Sequence, residues 1–395
     1  MRLVHLADLH LGYRQYHRLT ASGLNQREAD VAGTFVRALD QVIALRPDVI
    51  VIAGDIFHMV RPGNPAIIHA FVQFGRLREA LPDALIVMIA GNHDQPRASE
   101  TGSILGLFKQ LGIHVVHNAP AMLRFPDRDL EIMAVPDKSG PLPVLLPEDD
   151  AAARVLLLHG EVTDVMPAWK ARGEHAALGI PRSALHPDRW SYVALGHYHV
   201  HRSIAPNAWY SGSIDYTSVN VWGEMAEERA LGLPGKGFVE VDLATGAVTF
   251  HHVRSSRRLL DLPPIIATGR TAAQLDAAIQ EAVHRVPGGI EDCIVRLLIR
   301  DTPRHLVREL DHRALRELKR GAMHFQLDTR APEPSPVQVN GTEGRRPPLR
   351  EVLRGYLERR PLDSAIPRAG LISLGLDYLD AADAAAESGP PAEVA

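Results

Sequence analysis

The sequence predicts an α/β protein, and three observations lead there. Segments 3–7, 49–53, 85–90, 130–135, 155–158 and 192–195 are apolar and rich in β-branched residues, without the alternation of a half-exposed strand, so they read as buried strands. Helical stripes separate the first three of them, giving repeated strand–helix–strand units. Five polar signatures, Asp8-Leu9-His10, Gly54-Asp55, Gly91-Asn92-His93-Asp94, His159-Gly160 and Gly196-His197-Tyr198-His199, each close an apolar stretch, where open α/β sheets place their ligands.

The elements follow in order. Val31, Phe35, Leu39, Val42 and Ile43 share one stripe of a first helix. A second begins at an Asn64 cap with Pro65 at the first helical position, and carries Ile67, Ile68, Phe71, Val72 and Leu77. A third, over 104–111, ends at Gly112, which suits a left-handed cap. After Gly196 the pattern changes to short strands, 208–210, 237–241 and 248–253, which complete a domain over residues 1–260. Residues 265–330 then read as helix (Leu275, Ile279, Val283, Val286), strand (294–299), helix (Leu306, Leu310, Leu318) and strand (Met323, Phe325, Leu327), a second, small α/β domain. Residues 331–348 have the Pro/Gly composition of a linker. The segment 349–384 opens on Leu349, Val352, Leu353, Tyr356 and Leu357, an apolar helical stripe backed by Arg350, Arg354, Arg359 and Arg360, and adds a second cluster of Leu371, Leu374, Tyr378 and Leu379. Two readings stand for it, folding back on its own protein or docking on another chain. Residues 385–395 read as a disordered tail.

Composition bounds the function. With 395 residues and 46% apolar content the chain can bury a sizeable core. No apolar run approaches the roughly 20 residues of a membrane span, and the start leads directly into a strand, so the expectation is a cytoplasmic protein. The single cysteine, Cys293, allows no internal disulfide and no thiolate-rich metal site, so any metal must use His, Asp and Asn. Net charge is −4, which makes no overall case for nucleic acid, but residues 254–330 carry 14 Lys+Arg against 10 Asp+Glu, a local excess of +4. A solvated surface explains that excess as well as a phosphate-binding face does.

A pair of divalent ions needs a bridging carboxylate, neutral imidazoles and further oxygen ligands. Asp55, ending the second strand, is the natural bridge; Asp8 and His10 flank one ion; Asn92 offers a neutral carbonyl oxygen; His159, His197 and His199 offer imidazoles. His93 reads as a general acid rather than a ligand, with Asp94 placed to orient its ring. Nucleophilic alternatives are weak: Gly212-Ser213 lacks the G-x-S-x-G elbow, and Cys293 lies in a predicted strand away from the histidines. Asp-x-His and Gly-Asp are common dipeptide patterns taken singly; Gly-Asn-His-Asp is much rarer, and the ordered set is rarer still.

Together these residues resemble the calcineurin-like metallophosphoesterases, over roughly residues 1–222. The resemblance implies a four-layer α/β/β/α sandwich with two metal ions, commonly Mn²⁺, one held by Asp8, His10, Asp55 and His199 and the other by Asp55, Asn92, His159 and His197, with His93 as the catalytic histidine. Gly54-Asp55-Ile56-Phe57-His58 is similar to the double-strand-break repair nucleases, SbcD and its counterparts, in which a histidine at the place of His58 supports the substrate phosphate or His93. That branch often has Pro soon after Gly-Ser, whereas Gly212-Ser213-Ile214-Asp215 stands here, which leaves the role of Ser213 to Thr217 open. The branch further implies a capping, DNA-binding domain (265–330), a helical segment (349–384) that binds an SbcC-like coiled-coil ATPase, and a homodimer built on helices such as 67–81 and 104–111. The expected function is then an Mn²⁺-dependent DNA nuclease, exonuclease and endonuclease on duplex ends and hairpins, acting in break repair in the cytoplasm at the nucleoid. Two competing readings are a phosphodiesterase or phosphatase for a small molecule or phosphoprotein, and a non-catalytic scaffold.

Overall fold

The computed structural model describes residues 1–96, 102–137, 141–148, 151–163, 165, 178–332, 348–359 and 367–387. The chain divides into one unit of Met1–Ala331 and a second of Pro332–Ala395. The first unit begins with alternating strands and helices: β1 (Arg2–Leu6), α1 (Gln26–Leu45), β2 (Val49–Ala53), α2 (Asn64–Ala80) and β3 (Leu85–Ile89). Then come β4 (His114–Val116), β5 (Ala121–Phe125), β6 (Leu130–Val135), β7 (Ala153–His159), the short pair β8 (Glu161–Val162) and β9 (Gly179–Ile180), and β10 (Tyr192–Gly196). β11 (Arg202–Ala205), β12 (Ala208–Tyr210), α3 (Val221–Ala230), β13 (Gly237–Asp242) and β14 (Val248–His252) complete two six-stranded sheets. Their orders are β14-β13-β1-β2-β3-β4 and β11-β12-β10-β7-β6-β5.

Unbroken apolar strands arise because both faces of each central strand are covered. In β2, Ile50 and Ile52 pack under α1 and α2 with Phe35, Leu39 and Phe74, while Val49, Val51 and Ala53 meet Ile132, Val155 and Leu157 of the second sheet. The far face of that second sheet, Met133, Leu156, Leu158, Val193 and Leu195, is covered by Val162, Ile180, Leu185 and Trp190. The sandwich is thus helices, sheet, sheet and a fourth layer, which in the described residues consists of β8, β9 and the short 3₁₀ turns Arg182–Leu185 and Pro187–Arg189.

The small sheet is β15 (Leu259–Ile266), β16 (Ile294–Arg300) and β17 (His324–Thr329), all parallel, with α4 (Ala272–His284), α5 (Arg304–Glu309) and α6 (His312–Gly321) between them. Leu262, Leu275, Ile279, Val295, Leu297 and Phe325 form its core. It joins the sandwich through Val221 and Trp222 of α3, which pack on Ile294 and Met323. Arg257 reinforces the joint with two bonds to the Asp30 carboxylate at 2.6 and 2.9 Å.

Several local expectations need correction. Asn64 is the first residue of α2 rather than its cap; Gly63 occupies the cap position, with no side-chain bond. The segment Ile104–Leu111 is 3₁₀ rather than α, started by Ser103 Oγ accepting from Leu105 N–H and ended by Gly112 at φ 70°. Residues read as one helix around Leu310 form two, because Asp311 accepts the N–H groups of Arg313 and Ala314 and starts α6 anew. The stretch after Gly196, read as strands alone, contains α3, whose apolar residues make no stripe since it buries Glu224 and Glu228. β15 hides behind Pro263-Pro264, which shift its register against β16 between Leu262 and Ile265.

In the second unit α7 (Leu349–Arg359) pairs with α8 (Arg368–Glu387). Leu353 and Leu357 approach Gly375 of α8, while Val352, Tyr356, Leu374 and Tyr378 are at least half exposed. The linker, bar its ends, and the tail from residue 388 lie outside the described residues. No helix among the described residues is long and apolar enough to cross a membrane.

Candidate metal centre

The five signatures meet because β1, β2 and β3 run parallel in one sheet and β7 and β10 in the other, each ending beside a signature. The loops after β1 and β2 are zipped together: Asp8 N–H donates to Gly54 O (3.1 Å), His10 N–H to Asp55 O (2.9 Å) and Leu11 N–H to Ile56 O (2.9 Å). Asp8, His10 and Asp55 sit at φ of 51°, 45° and 51°, and His197 at 102°. Such left-handed backbone costs a non-glycine residue on the order of 1 kcal/mol and turns these side chains off the strand faces toward a common point. Gly91 permits the closest approach, since a Cβ there would lie 2.5 Å from Asp55 N and 2.7 Å from Asp55 Cγ.

Asp55 stands at the middle. Its Oδ2 lies 3.7 Å from His10 Nε2 and 3.5 Å from His159 Nε2, and its Oδ1 accepts the His93 N–H at 2.9 Å. On one side Asp8, His10 and His199 bring potential ligand atoms within 4.8 Å of one another; on the other Asp55, His159 and His197 do the same. His10 Nε2 and His199 Nε2 face each other at 3.0 Å. Asn92 Oδ1 lies 2.9 Å from His159 Nε2 and 3.2 Å from His197 Nδ1. Asp8 accepts the His197 N–H with both oxygens, at 3.0 and 3.1 Å. All seven residues predicted as ligands therefore converge.

Tautomers follow from the outer contacts. His159 Nδ1–H donates to Ala53 O at 2.7 Å, so its Nε2 carries a lone pair toward Asp55 and Asn92. That lone pair facing the Asn92 carbonyl oxygen sets acceptor against acceptor, while Asn92 Nδ2 is buried without a partner among the described residues. A divalent cation between the two lone pairs removes that conflict and favours the Asn92 oxygen facing inward, and the set of imidazoles, carboxylates and one amide oxygen suits a divalent metal ion.

His93 and His58 form the adjoining group. His93 Nδ1–H donates to His58 O at 2.8 Å, and the two rings stack at 5.2 Å between centroids. His58 Nδ1 lies 3.4 Å from His10 Nδ1, and Tyr13 meets its ring edge-on. The contact that orients the His93 ring is thus the His58 carbonyl. Asp94, expected in that role, instead accepts three backbone N–H groups, from Gly91 and Ile56 on Oδ2 (3.0 and 3.1 Å) and from Phe57 on Oδ1 (3.0 Å). It ties the third loop to the second. Asp8, His10, Asp55, Asp94, His159 and His199 are buried, whereas His58, Asn92, His93 and His197 are half-buried and form the open face.

Burial pushes Asp94 up to about 7, aided by the Asp55 charge and opposed by its three N–H bonds. Burial also raises Asp8, and drives His10 well below the usual imidazole range. It acts against the Asp55 charge too, but the imidazoles of His159 and His93 and the His93 N–H bond outweigh it and hold Asp55 below the ordinary carboxylate value. His159 is raised despite burial, by Asp55, Asp8 and Asp137.

Two contributors were missed in the sequence. Asp137, which follows β6 in the same strand-end position as the five signatures, is buried and accepts Leu178 N–H at 3.1 Å; that position was the available signal. Glu224 of α3, with Oε1 3.2 Å from His199 Nδ1, gave none. Ser213 to Thr217 now have a structural role. Ser213 N–H donates to His199 O (3.1 Å), and Asp215 accepts from Arg27 (3.3 Å) and Thr34 (2.7 Å), fixing the His199 loop to α1.

Comparison with known proteins agrees with this geometry. The family model for calcineurin-like phosphoesterase matches residues 1–201. Among curated relatives, the DNA double-strand break repair protein Mre11 of Thermoplasma acidophilum is 27% identical over 265 residues, 64% of each chain. That of Sulfurisphaera tokodaii is 31% identical over 223 residues, 51% of this chain and 49% of the relative. That of Methanococcus maripaludis is 38% identical over 111 residues, 28% of each. The matched stretches thus cover between 28% and 64% of these relatives' lengths. Since the matched model spans slightly more than half of the chain and contains the β1, β2, β3, β7 and β10 loops, the protein belongs to the calcineurin-like phosphoesterase family.

Proposed function

We propose that this chain is the nuclease subunit of a DNA double-strand-break repair complex, hydrolysing phosphodiester bonds at duplex ends and hairpins with two divalent ions, Mn²⁺ in the working form. The observation that carries the reading is the Asp55 carboxylate, whose Oδ2 stands 3.7 and 3.5 Å from imidazole nitrogens of two separate ligand groups. Asp8, His10, Asp55 and His199 would hold one ion, and Asp55, Asn92, His159 and His197 the other. Such a pair supplies Lewis acidity and charge neutralisation for the phosphodiester.

The chain's own groups do the rest. His58 O holds His93 Nδ1–H, which makes His93 Nε2 the nitrogen that passes a proton to the leaving oxygen. Stacking on His58 keeps the ring in place at the open face. Four loops, three of them holding left-handed site residues, are crosslinked by Asp94 and Asp8 and pre-organise the donors before substrate arrives.

The substrate reading draws on the relatives' printed role and on charge. In the small domain, proposed as the DNA-binding cap over 265–330, Arg316, Lys319 and Arg320 cluster on the last turns of α6, where phosphates of a duplex would be neutralised. The half-exposed Val352, Tyr356, Leu374 and Tyr378 of the helical pair suit an SbcC-like ATPase coiled coil as the partner of residues 349–384. Ile68 and Val72, exposed on α2, support a homodimer contact there.

The test is cleavage of linear duplex and hairpin DNA with Mn²⁺, with and without a co-purified coiled-coil ATPase. His93→Ala should retain both ions yet lose cleavage by about 10²- to 10⁴-fold, the usual share of general acid catalysis. DNA left intact while a small phosphodiester is hydrolysed, with activity unchanged on removal of residues 340–395, would favour the small-molecule reading instead.

A further inference from the structure

The two ligand groups differ in what stands behind them. His159 is oriented by a backbone carbonyl, Ala53 O, at 2.7 Å. His199 has behind it a carboxylate with no solvent exposure: Nδ1 lies 3.2 Å from Glu224 Oε1. Lys236 closes the circuit. Its Nζ donates to Glu224 Oε2 at 2.6 Å and to the His199 carbonyl at 2.8 Å, so one ammonium grips both the backbone of His199 and the carboxylate facing its ring. Glu228 Oε1, 3.0 Å from the same Nζ, supplies a second negative charge, and Tyr216 OH donates to Glu228 Oε2 at 2.6 Å. Burial opposes the Lys236 charge, but Glu224 and Glu228 outweigh it and hold the ammonium above its ordinary value. Lys236 thus pairs with both carboxylates, and of the two only Glu224 faces the His199 ring.

We infer that Glu224 is a positioning residue for the metal group of Asp8, His10 and His199, holding His199 as the Nδ1–H tautomer with Nε2 presented to the ion, and that it makes this the tighter of the two metal positions. The inference rests on the dinuclear reading above. Its physical basis is that a carboxylate behind a ligating imidazole fixes the ring and raises its basicity more than a neutral carbonyl does. Glu224→Gln discriminates sharply. Lys236 Nζ offers only donors, so the amide oxygen must face it and the amide NH₂ is turned to His199 Nδ1. That selects the opposite tautomer, whose Nε2–H cannot ligate.

The experiment is calorimetric titration of the metal-free full chain with Mn²⁺, together with the melting temperature of each metal-free variant. The parental chain should bind two ions. Glu224→Gln should weaken one of them by about 10- to 100-fold and leave the other at parental affinity. Glu224→Asp, which keeps the charge and the Lys236 partner but draws back from His199, should give an intermediate loss even if the glutamine variant folds poorly. Glu228→Gln shares the Lys236 contact without facing His199 and should bind both ions as the parent does. Parental affinities in Glu224→Gln, or an equal loss in Glu228→Gln, would overturn the inference and leave the cluster a structural one. A parental chain that binds fewer than two ions would overturn the dinuclear reading itself.

Discussion

Replacing Gly91 by alanine tests the centre without replacing any predicted ligand. The new Cβ would stand 2.5 Å from Asp55 N and 2.7 Å from Asp55 Cγ, and closer still to Oδ1. Ordinary contact for a carbon atom is about 3.5 Å, so relief requires a shift on the order of 1 Å. Neither wall yields easily. Gly91 is held through its N–H to Asp94 Oδ2 (3.0 Å) and its carbonyl to Asp94 N–H (3.1 Å), and Asp55 is zipped to His10. The carboxylate is the movable part, and turning it forfeits the His93 N–H bond to Oδ1. Turning the carboxylate eases the contact with Cγ at the cost of a charged hydrogen bond of about 1.5–3 kcal/mol, and the contact with Asp55 N leaves overpacking of roughly 1–3 kcal/mol, so the expected loss of stability is at least on the order of 3 kcal/mol. A displacement of about 1 Å at a bridging carboxylate should also cost about 10²-fold in rate. Urea denaturation of the metal-free chain, metal content after dialysis and cleavage rate are the three readouts. Parental stability with two bound ions in Gly91→Ala would refute the assignment of Asp55 to the middle of the site.

Two further outcomes follow from the same contacts. Asp94→Ala should destabilise the metal-free protein by several kcal/mol, since it strands three buried N–H groups at about 1–3 kcal/mol each, and Asp94→Asn, which keeps one acceptor oxygen, should cost roughly half as much; equal losses in urea denaturation would show that the bonds do not set the cost. His5, sealed between the sheets with Nδ1 3.0 Å from Tyr192 OH, is pushed down from 6.5 to about 3, chiefly by burial. Because its folded value is depressed, the stability it contributes is complete above pH 6.5 and is lost as pH falls toward 3, at about 1.4 kcal/mol per pH unit. Unfolding free energies of His5→Phe against the parent from pH 7.5 to 5 should show the variant less stable at pH 7.5 and its deficit shrinking as the pH drops; a constant deficit would mean that His5 titrates in the fold as it does in the unfolded chain.

The site was legible because its chemistry lies on strand ends, and strand ends are local in sequence. Asp8, His10, Asp55, Asn92, His93, His159, His197 and His199 each follow an apolar run that both faces of a sheet demand, so the pattern announces the strand and the signature marks its end. What stayed hidden depends on partners far along the chain. Asp94 beside His93 suggests a ring contact, yet its carboxylate answers N–H groups 37 and 38 residues away. α3 carries too few apolar residues to announce itself, because the face it buries is acidic and is satisfied by Lys236, Tyr216 and Tyr198 from other elements. β15 was obscured by its own Pro263-Pro264, tolerable only on the edge strand it proves to be.

Four of the site residues, Asp8, His10, Asp55 and His197, hold left-handed backbone that none of them would choose alone, at roughly 1 kcal/mol each. The bonds that offset this strain cross between elements: Asp8 to Gly54 and His10 to Asp55 join the loops after β1 and β2, and the Asp8 carboxylate to His197 N–H joins the two sheets. The last of these bonds requires the two sheets to be docked, as they are through Val49, Val51, Ile132 and Val155. The hydrophobic contact between the sheets therefore brings the His197 loop to Asp8 and joins the donors of the second sheet to those of the first. Within that centre burial suppresses the charge of His10, which is delivered as a neutral donor, whereas the carboxylates Asp55, Asp8 and Asp137 favour a proton on His159 that any cation bound there must displace.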